Sequence, residues 1–529
     1  MGTGRIILVA ASLALALVTS GADAVTVVSF PDGVGAGDVR QTSAVLWTRT
    51  DLETWLKADV STDPGFAPAA TMSPLLVARA SNDLVGKTVV SGLLAGQQYY
   101  YRFRRGSSVS ETGTFRTAPE AGVSQGLRFA FSGDSDATQI GGERAFGDFL
   151  ALDSALAEGI DFFAYVGDTV NADSELRPEG PARTLDDYRA VHRLNRLVPA
   201  FRRLMAGSSV YTIWDDHEVY NNFDAETVSR YRYSYGRRAF LENMPLLSST
   251  PSDPACVAPP LFRTFNWGTE ANIIVLDERS CRSASAEAAC LVEVAPKVFA
   301  TDLAPTLPEQ QRTLLNSTLP DALKPRMQPL PPPGCPEAIR DPARTMLGTA
   351  QKEAFKAALL NSTARFKFVV NEVLIQQIFS QPYDKWEGYA AEREEILNFI
   401  RGNEITGVIF LTADLHASLV NDVFIDTFTD SQVVAQEFVT GPIGAPTWAE
   451  HPLIGDPPPP GSQRMIDELL RVAGIDCQNL DRYSYGVVEV DAAAGTATVT
   501  LKEETGAVLN DELHPEVECR KTVSAPAAP

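Results

Sequence analysis

Basic side chains are scarce in this 529-residue chain: 45 Lys and Arg stand against 67 Asp and Glu, a formal net charge of −22. That balance argues against a specific nucleic-acid-binding surface, whose affinity rests on basic groups displacing counterions, and it disfavours adhesion to anionic lipid. A phosphate-bearing ligand would have to be drawn in by local positive charge, which metal ions inside an acidic shell supply. Long apolar runs are also missing: beyond the N-terminal stretch nothing approaches the roughly 20 residues that a spanning helix needs, so no stable membrane anchor is expected. None of the six cysteines, Cys256, Cys281, Cys290, Cys335, Cys477 and Cys519, has the C-x-x-C spacing of a metal knuckle, and no internal repeat is present.

What is present sets the organisation. Arg5 to Val18 is an apolar core behind one basic residue, and Gly21-Ala-Asp-Ala24 supplies the small residues a signal peptidase reads, so residues 1–24 read as a Sec-type signal peptide for a secreted or periplasmic protein. Export makes the cysteines disulfides of open connectivity. Residues 25–119 carry short β-type runs, including Ser43-Ala-Val-Leu-Trp47 and the aromatic string Tyr99 to Tyr101, and read as a small β-sandwich with those rings packed in it. After a linker at 118–125, strands alternate with helical patterns at 142–157, 185–205, 349–360 and 390–401, the signature of an α/β domain over 125–510. Within it, 281–340 reads as a long surface insertion tied by a disulfide, and 511–529 as a C-terminal tail.

Four apolar runs of the kind found in fully buried strands end abruptly in ligand-type side chains: Phe129 to Gly133 before Asp134, Phe162 to Gly167 before Asp168, Val210 to Trp214 before Asp215-Asp216-His217-Glu218, and Val408 to Ala413 before Asp414-Leu-His416. Such ends collect at the carboxyl edge of an α/β sheet, where sites form. Two metal ions about 3.5–4 Å apart need a bridging carboxylate flanked by separate ligands. Asp168 is the bridging candidate. Asp134 and His416 complete one ion, with Asp136 or Asn171 in reserve; Asp216, Asp414 and Asn371 complete the other.

The chemistry of that arrangement is phosphate ester hydrolysis, in which water activated by the ions attacks phosphorus in line. His217 titrates in the range suited to protonating the departing oxygen. Arg279 and Arg282 offer planar cations for phosphate oxygens. The first ion, with an imidazole donor, suits Fe, Zn or Mn; the second, all hard oxygen, suits Ca or Mg. Against this stand simpler readings: a satisfied turn amide for Asn371, a solvated helix residue for His192, and motif-free polar contexts for His451 and His514. The rival from another class is a non-catalytic secreted binding protein with a structural metal site. Retention of both His217 and Asp168 favours catalysis. Substrate, mono- or diester preference and oligomeric state stay open.

The ordered set Gly33-Val-Gly-Ala-Gly37-Asp38, Gly167-Asp168, Trp214-Asp-Asp-His-Glu218, Leu276-Asp-Glu-Arg279, Trp386-Glu-Gly-Tyr389 and Thr412-Ala-Asp414-Leu-His416 resembles the PhoD-type alkaline phosphatases and phosphodiesterases of the calcineurin-like metallophosphoesterases. The resemblance implies an α/β, four-layer sandwich of two sheets flanked by helices, preceded by a small all-β immunoglobulin-like domain. It also implies metal ligands at Asp168, Asp216, Asp414 and His416. Two positions depart from members with an iron and calcium site: Asp134 stands for their cysteine and Asn171 for their tyrosine. The paired arginines of a twin-arginine signal are absent as well.

Overall fold

The computed structural model describes residues 27–247, 261–450 and 462–526. The signal-peptide reading, Cys256 and His451 therefore lie outside the described residues.

Two large sheets pack face to face. The first contains parallel strands Leu127–Ser132, Phe162–Val166 and Ser209–Ile213. The second contains parallel strands Ala271–Val275, Phe366–Asn371, Val408–Thr412 and Ala435–Val439. Their apolar runs show no polar alternation because both faces of each sheet are covered. Phe366, Phe368 and Val370 point into the layer between the sheets, while Val369 points outward onto helices Gly348–Leu360 and Ala390–Gly402. Phe129 of the first sheet stacks on Phe162 and meets Phe368 of the second edge-on at 5.1 Å. Helices Leu150–Ala157 and Pro199–Gly207 cover the outer face of the first sheet, giving four layers.

The N-terminal residues form a β-sandwich, but one of its sheets is not separate. Strands Val34–Gly37, Ser43–Arg49 and Val85–Ser91 continue the first large sheet, Ala36 and Gly37 pairing in parallel with Ser209 and Val210. The opposing sheet, with Thr54–Ser61 and Gln98–Arg105, buries Tyr99 and Tyr101. The indole of Trp47 donates to the Glu242 carbonyl at 2.8 Å and lies under the Arg196 guanidinium, so the junction is packed.

Four expectations are corrected. The helix expected from 142 starts only at Leu150, because Gly141, Gly142 and Gly147 take positive φ around a short hairpin. The helical run from 185 breaks after Arg196, where Pro199 opens a second helix. His192 faces the core at 2% exposure rather than solvent. Residues 511–529 include the edge strand Arg520–Ser524, pinned by the Cys477–Cys519 disulfide. The 281–340 segment is closed by Cys290–Cys335 as expected for a tied insertion, yet it also buries the Arg312–Asp302 ion pair and packs leucines under helix Ser462–Ala473. Cys281 is disulfide-bonded too.

Candidate metal centre

All four strand ends converge. Asp134, Asp168 and Asp216 follow the carboxyl ends of parallel strands in the first sheet, and Asp414 and His416 follow one in the second. Close approach of the two edges requires small residues: a Cβ on Gly133 would stand 2.4 Å from the Val166 carbonyl and 2.8 Å from Ala413 Cβ. On Gly167, which has φ +74°, it would stand 2.5 Å from Asp215 Cβ. The ligand-type residues themselves are strained: Asp134, Asp168, Asp414 and His416 have φ of 60°, 42°, 61° and 57°. Left-handed backbone at non-glycine residues is uncommon and concentrates where surrounding structure enforces it for function.

Among the described residues, three sets of side chains offer ligand atoms within 4.8 Å of one another: Asp134, Asp168 and His416; Asp168, Asp216 and His217; Asp215, Asp216 and Asp414. Asp168 links the first two sets and Asp216 the last two. Burial and neighbouring carboxylates push Asp134, Asp168, Asp215 and Asp414 well above the usual carboxylate range. Asp134 Oδ2, Asn171 Oδ1, Asp215 Oδ2 and Asp216 Oδ1 are buried with no hydrogen-bond partner among the described residues. Buried oxygens are rarely left so, and hard cations are the partner that fits them. The His416 Nδ1 faces the Pro446 carbonyl, which can only accept, so Nδ1 carries the proton and the lone pair a metal would use sits on Nε2.

Other anticipated residues have different surroundings. Asn371 donates to the Val373 carbonyl and Thr412 Oγ1 and accepts from the Trp386 indole, the arrangement of a satisfied amide rather than a ligand. Asp136 caps its own turn at Thr138 N. Arg279 and Arg282 are not open phosphate clamps. Arg279 is fully buried, with Nε on Asp215 and both terminal nitrogens on Asp384 at 2.9 Å, while Arg282 Nη2 reaches Asp384 at 2.6 Å.

His217 Nδ1 lies 2.6 Å from Asp173 Oδ1, and its Nε2 lies 4.0 Å from Asp216 Oδ1. Burial works against the imidazolium, but Asp216, Asp173 and Asp168 outweigh it and raise the His217 pKa well above its ordinary value. Glu218 fixes the base of the site by accepting from Thr169 N and Asp215 N at 2.6 and 2.8 Å. Asp173 and Asp384 are absent from the sequence reading, since neither follows a strand. The usable signal for Asp384 was its place in Gln381-Pro-Tyr-Asp384, just before the Trp386-Glu-Gly-Tyr389 motif.

The family model described as PhoD-like phosphatase matches residues 137–501, and that of the PhoD-like phosphatase N-terminal domain matches 16–119. Alkaline phosphatase D of Bacillus subtilis is 28% identical over 456 residues, covering 78% of this chain and 68% of that protein. Among solved structures, that of PhoD aligns with a TM-score of 0.71 at 23% identity, over 89% of this chain and 86% of the other. A purple acid phosphatase from yellow lupin seeds aligns with a TM-score of 0.55 at 10% identity, over 94% and 75%. The chain belongs to the PhoD-like phosphatase family and is a phosphoric ester hydrolase with acidic and histidine clusters able to hold metal.

Proposed function

We propose that the chain is a secreted phosphoesterase that works with two metal ions bridged by Asp168. The observation that carries this reading is the row of three ligand sets sharing Asp168 and Asp216, with buried oxygens left without partners. Asp134, Asp168 and His416 would hold the first ion, with Asn171, whose Oδ1 is buried without a hydrogen-bond partner among the described residues, as a further candidate; Asp168, Asp216 and Asp414 would hold the second. Bound there, the ions would activate water and stabilise charge on the phosphoryl oxygens. His217, fixed by Asp173, presents Nε2 toward the cage and gives the departing oxygen its proton. A site kept only for structure would have no use for that proton donor. The paired cysteines suit an oxidising compartment.

The donor sets differ, so the ions should differ: a transition metal beside His416 and Ca or Mg among the carboxylates. Hydrolysis of p-nitrophenyl phosphate and bis(p-nitrophenyl) phosphate by purified protein, abolished by chelation, tests the reading. Elemental analysis should give one transition metal plus Ca or Mg per chain, without intense charge-transfer colour, since no thiolate or phenolate stands in the first set. Full activity with two equivalents of zinc would refute the mixed pair, and metal-independent turnover would refute the whole proposal.

A further inference from the structure

We infer that Asp384 is a positioning residue that keeps the Arg279 guanidinium from closing fully on the oxygens of Asp216 and Asp414, so that a metal ion can take those oxygens. The inference rests on the proposed second metal position. Arg279 Nη2 stands 3.4 Å from Asp414 Oδ1 and 3.7 Å from Asp216 Oδ2. Both are already ion pairs, and the first is a long hydrogen bond, so a shift of under about 1 Å would tighten them to the roughly 2.7–3.2 Å of a strong one. A guanidinium cannot relieve this by losing its proton. Unrestrained, it would fall among the metal-binding carboxylates and compete with a divalent ion for the same lone pairs.

Asp384 supplies the restraint. It takes both terminal nitrogens of Arg279 in a fork at 2.9 Å each, the strongest geometry available to that pair. It is itself fixed from several sides: Arg282 Nη2 reaches Oδ1 at 2.6 Å, and the Asn222 amide, turned to donate, lies 3.0 and 3.2 Å from the two oxygens. Burial would raise the Asp384 pKa, but Arg279 and Arg282 outweigh it and keep the carboxyl ionised far below its usual range. The loop carrying Asp384 is tied to the 281–340 segment, Gln381 N donating to the Leu303 carbonyl at 2.7 Å and Tyr383 Oη to the Asp302 carbonyl at 2.6 Å. Asp302 N is bound in turn to the Cys290 carbonyl, beside the Cys290–Cys335 disulfide. The long insertion thereby gains a role: it fixes the loop that fixes the arginine.

The test is equilibrium dialysis of Mn²⁺ and Ca²⁺ against the metal-free full chain. Asp384→Asn should weaken one of the two sites about 10- to 100-fold, the range for loss of a residue that orients a metal ligand. The double variant Asp384→Asn/Arg279→Gln should recover most of that loss, because no guanidinium remains to fall in. Arg279→Gln alone should bind at least as tightly as wild type, which keeps the test open if Asp384→Asn does not fold. Unchanged affinity in folded Asp384→Asn, a double variant as weak as the single, or metal loss in Arg279→Gln would each overturn the inference. Wild-type protein binding no second ion, or Asp414→Asn binding both normally, would instead remove the metal reading and this inference with it.

Discussion

Replacing His217 by Ala separates a proton donor from a ligand, because the two roles respond differently to the leaving group. The imidazole is held through Nδ1 by Asp173 at 2.6 Å, so only Nε2 is available to a substrate, and it projects toward Asp216. General acid catalysis is typically worth about 10²- to 10⁴-fold, or about 3–5 kcal/mol of barrier. That full loss is expected for alkyl phosphate esters, whose alkoxide must be protonated as it leaves. p-Nitrophenolate departs unaided, so its esters should lose little. Asp173→Asn should give a smaller loss with the same leaving-group dependence. Its alkaline limb should move to lower pH, since a neutral amide no longer favours the imidazolium. Steady-state kinetics on both ester classes decide the matter. Equal losses on the two classes would show that His217 binds metal or orients substrate and that the proton-donor reasoning fails.

Asp168→Asn, which removes a charge from the residue shared by two ligand sets, should reduce turnover by orders of magnitude while circular dichroism stays that of the wild type; near-normal turnover would end the bridging assignment. His192 is buried beside Arg196 and Arg193, and burial first, then those cations, depress its pKa to about 3. Between that value and the ordinary value near 6.5 the unfolded chain binds the extra proton, so stability rises with pH through this window and falls on acidification, by about 1.4 kcal/mol per pH unit for this group. Denaturant titrations of wild type and His192→Gln at pH 4.5 and 6.5 should show the variant with the flatter dependence; parallel slopes would contradict the buried-neutral assignment.

The strand ends were legible because a buried strand in a two-sheet sandwich is apolar throughout, and a ligand-type residue at its end breaks that pattern visibly. Asp134, Asp168, Asp216, Asp414 and His416 all gave that signal, and the structure brings all five to one place. Asp173 gave none: it sits in a loop five residues past Asp168, and its pairing with His217 depends on how two loops fold over the sheet edge. Asp384 was hidden for the same reason. Arg279 was visible as a cation, but sequence carries no record of which carboxylates surround it, so its engagement with Asp215 and Asp384 could not be read. His192 shows the limit of composition: a basic run looks solvated, yet one face of helix Leu185–Arg196 is buried. The sandwich strands were legible as short β-type runs, whereas their joining to the large sheet through Ala36 and Gly37 was not, since pairing partners distant in sequence leave no local pattern.

The strained, crowded cage also ties metal binding to stability in a way that changes with pH. Residues held at positive φ cost about 1–3 kcal/mol each, and four of the ligand-type residues are so held. The carboxyls of Asp134, Asp168, Asp215 and Asp414 add to this. Burial first, then the neighbouring carboxylates, lifts their pKa above the unfolded value, outweighing the cations His217 and Arg279. A carboxyl with a raised folded pKa binds more protons folded than unfolded, so its contribution is fully present below the unfolded pKa and is lost as pH rises through the folded one. Metal-free protein should therefore lose stability as pH rises from 5 to 8. With metal bound, the cage is ionised at both pH values and that loss should largely disappear. Thermal melts with and without chelator at pH 5 and pH 8 measure the difference: the chelator should lower Tm more at pH 8. An equal drop at both, or none, would mean that these carboxylates are not the ion-binding cage and that their strained backbone serves some other purpose.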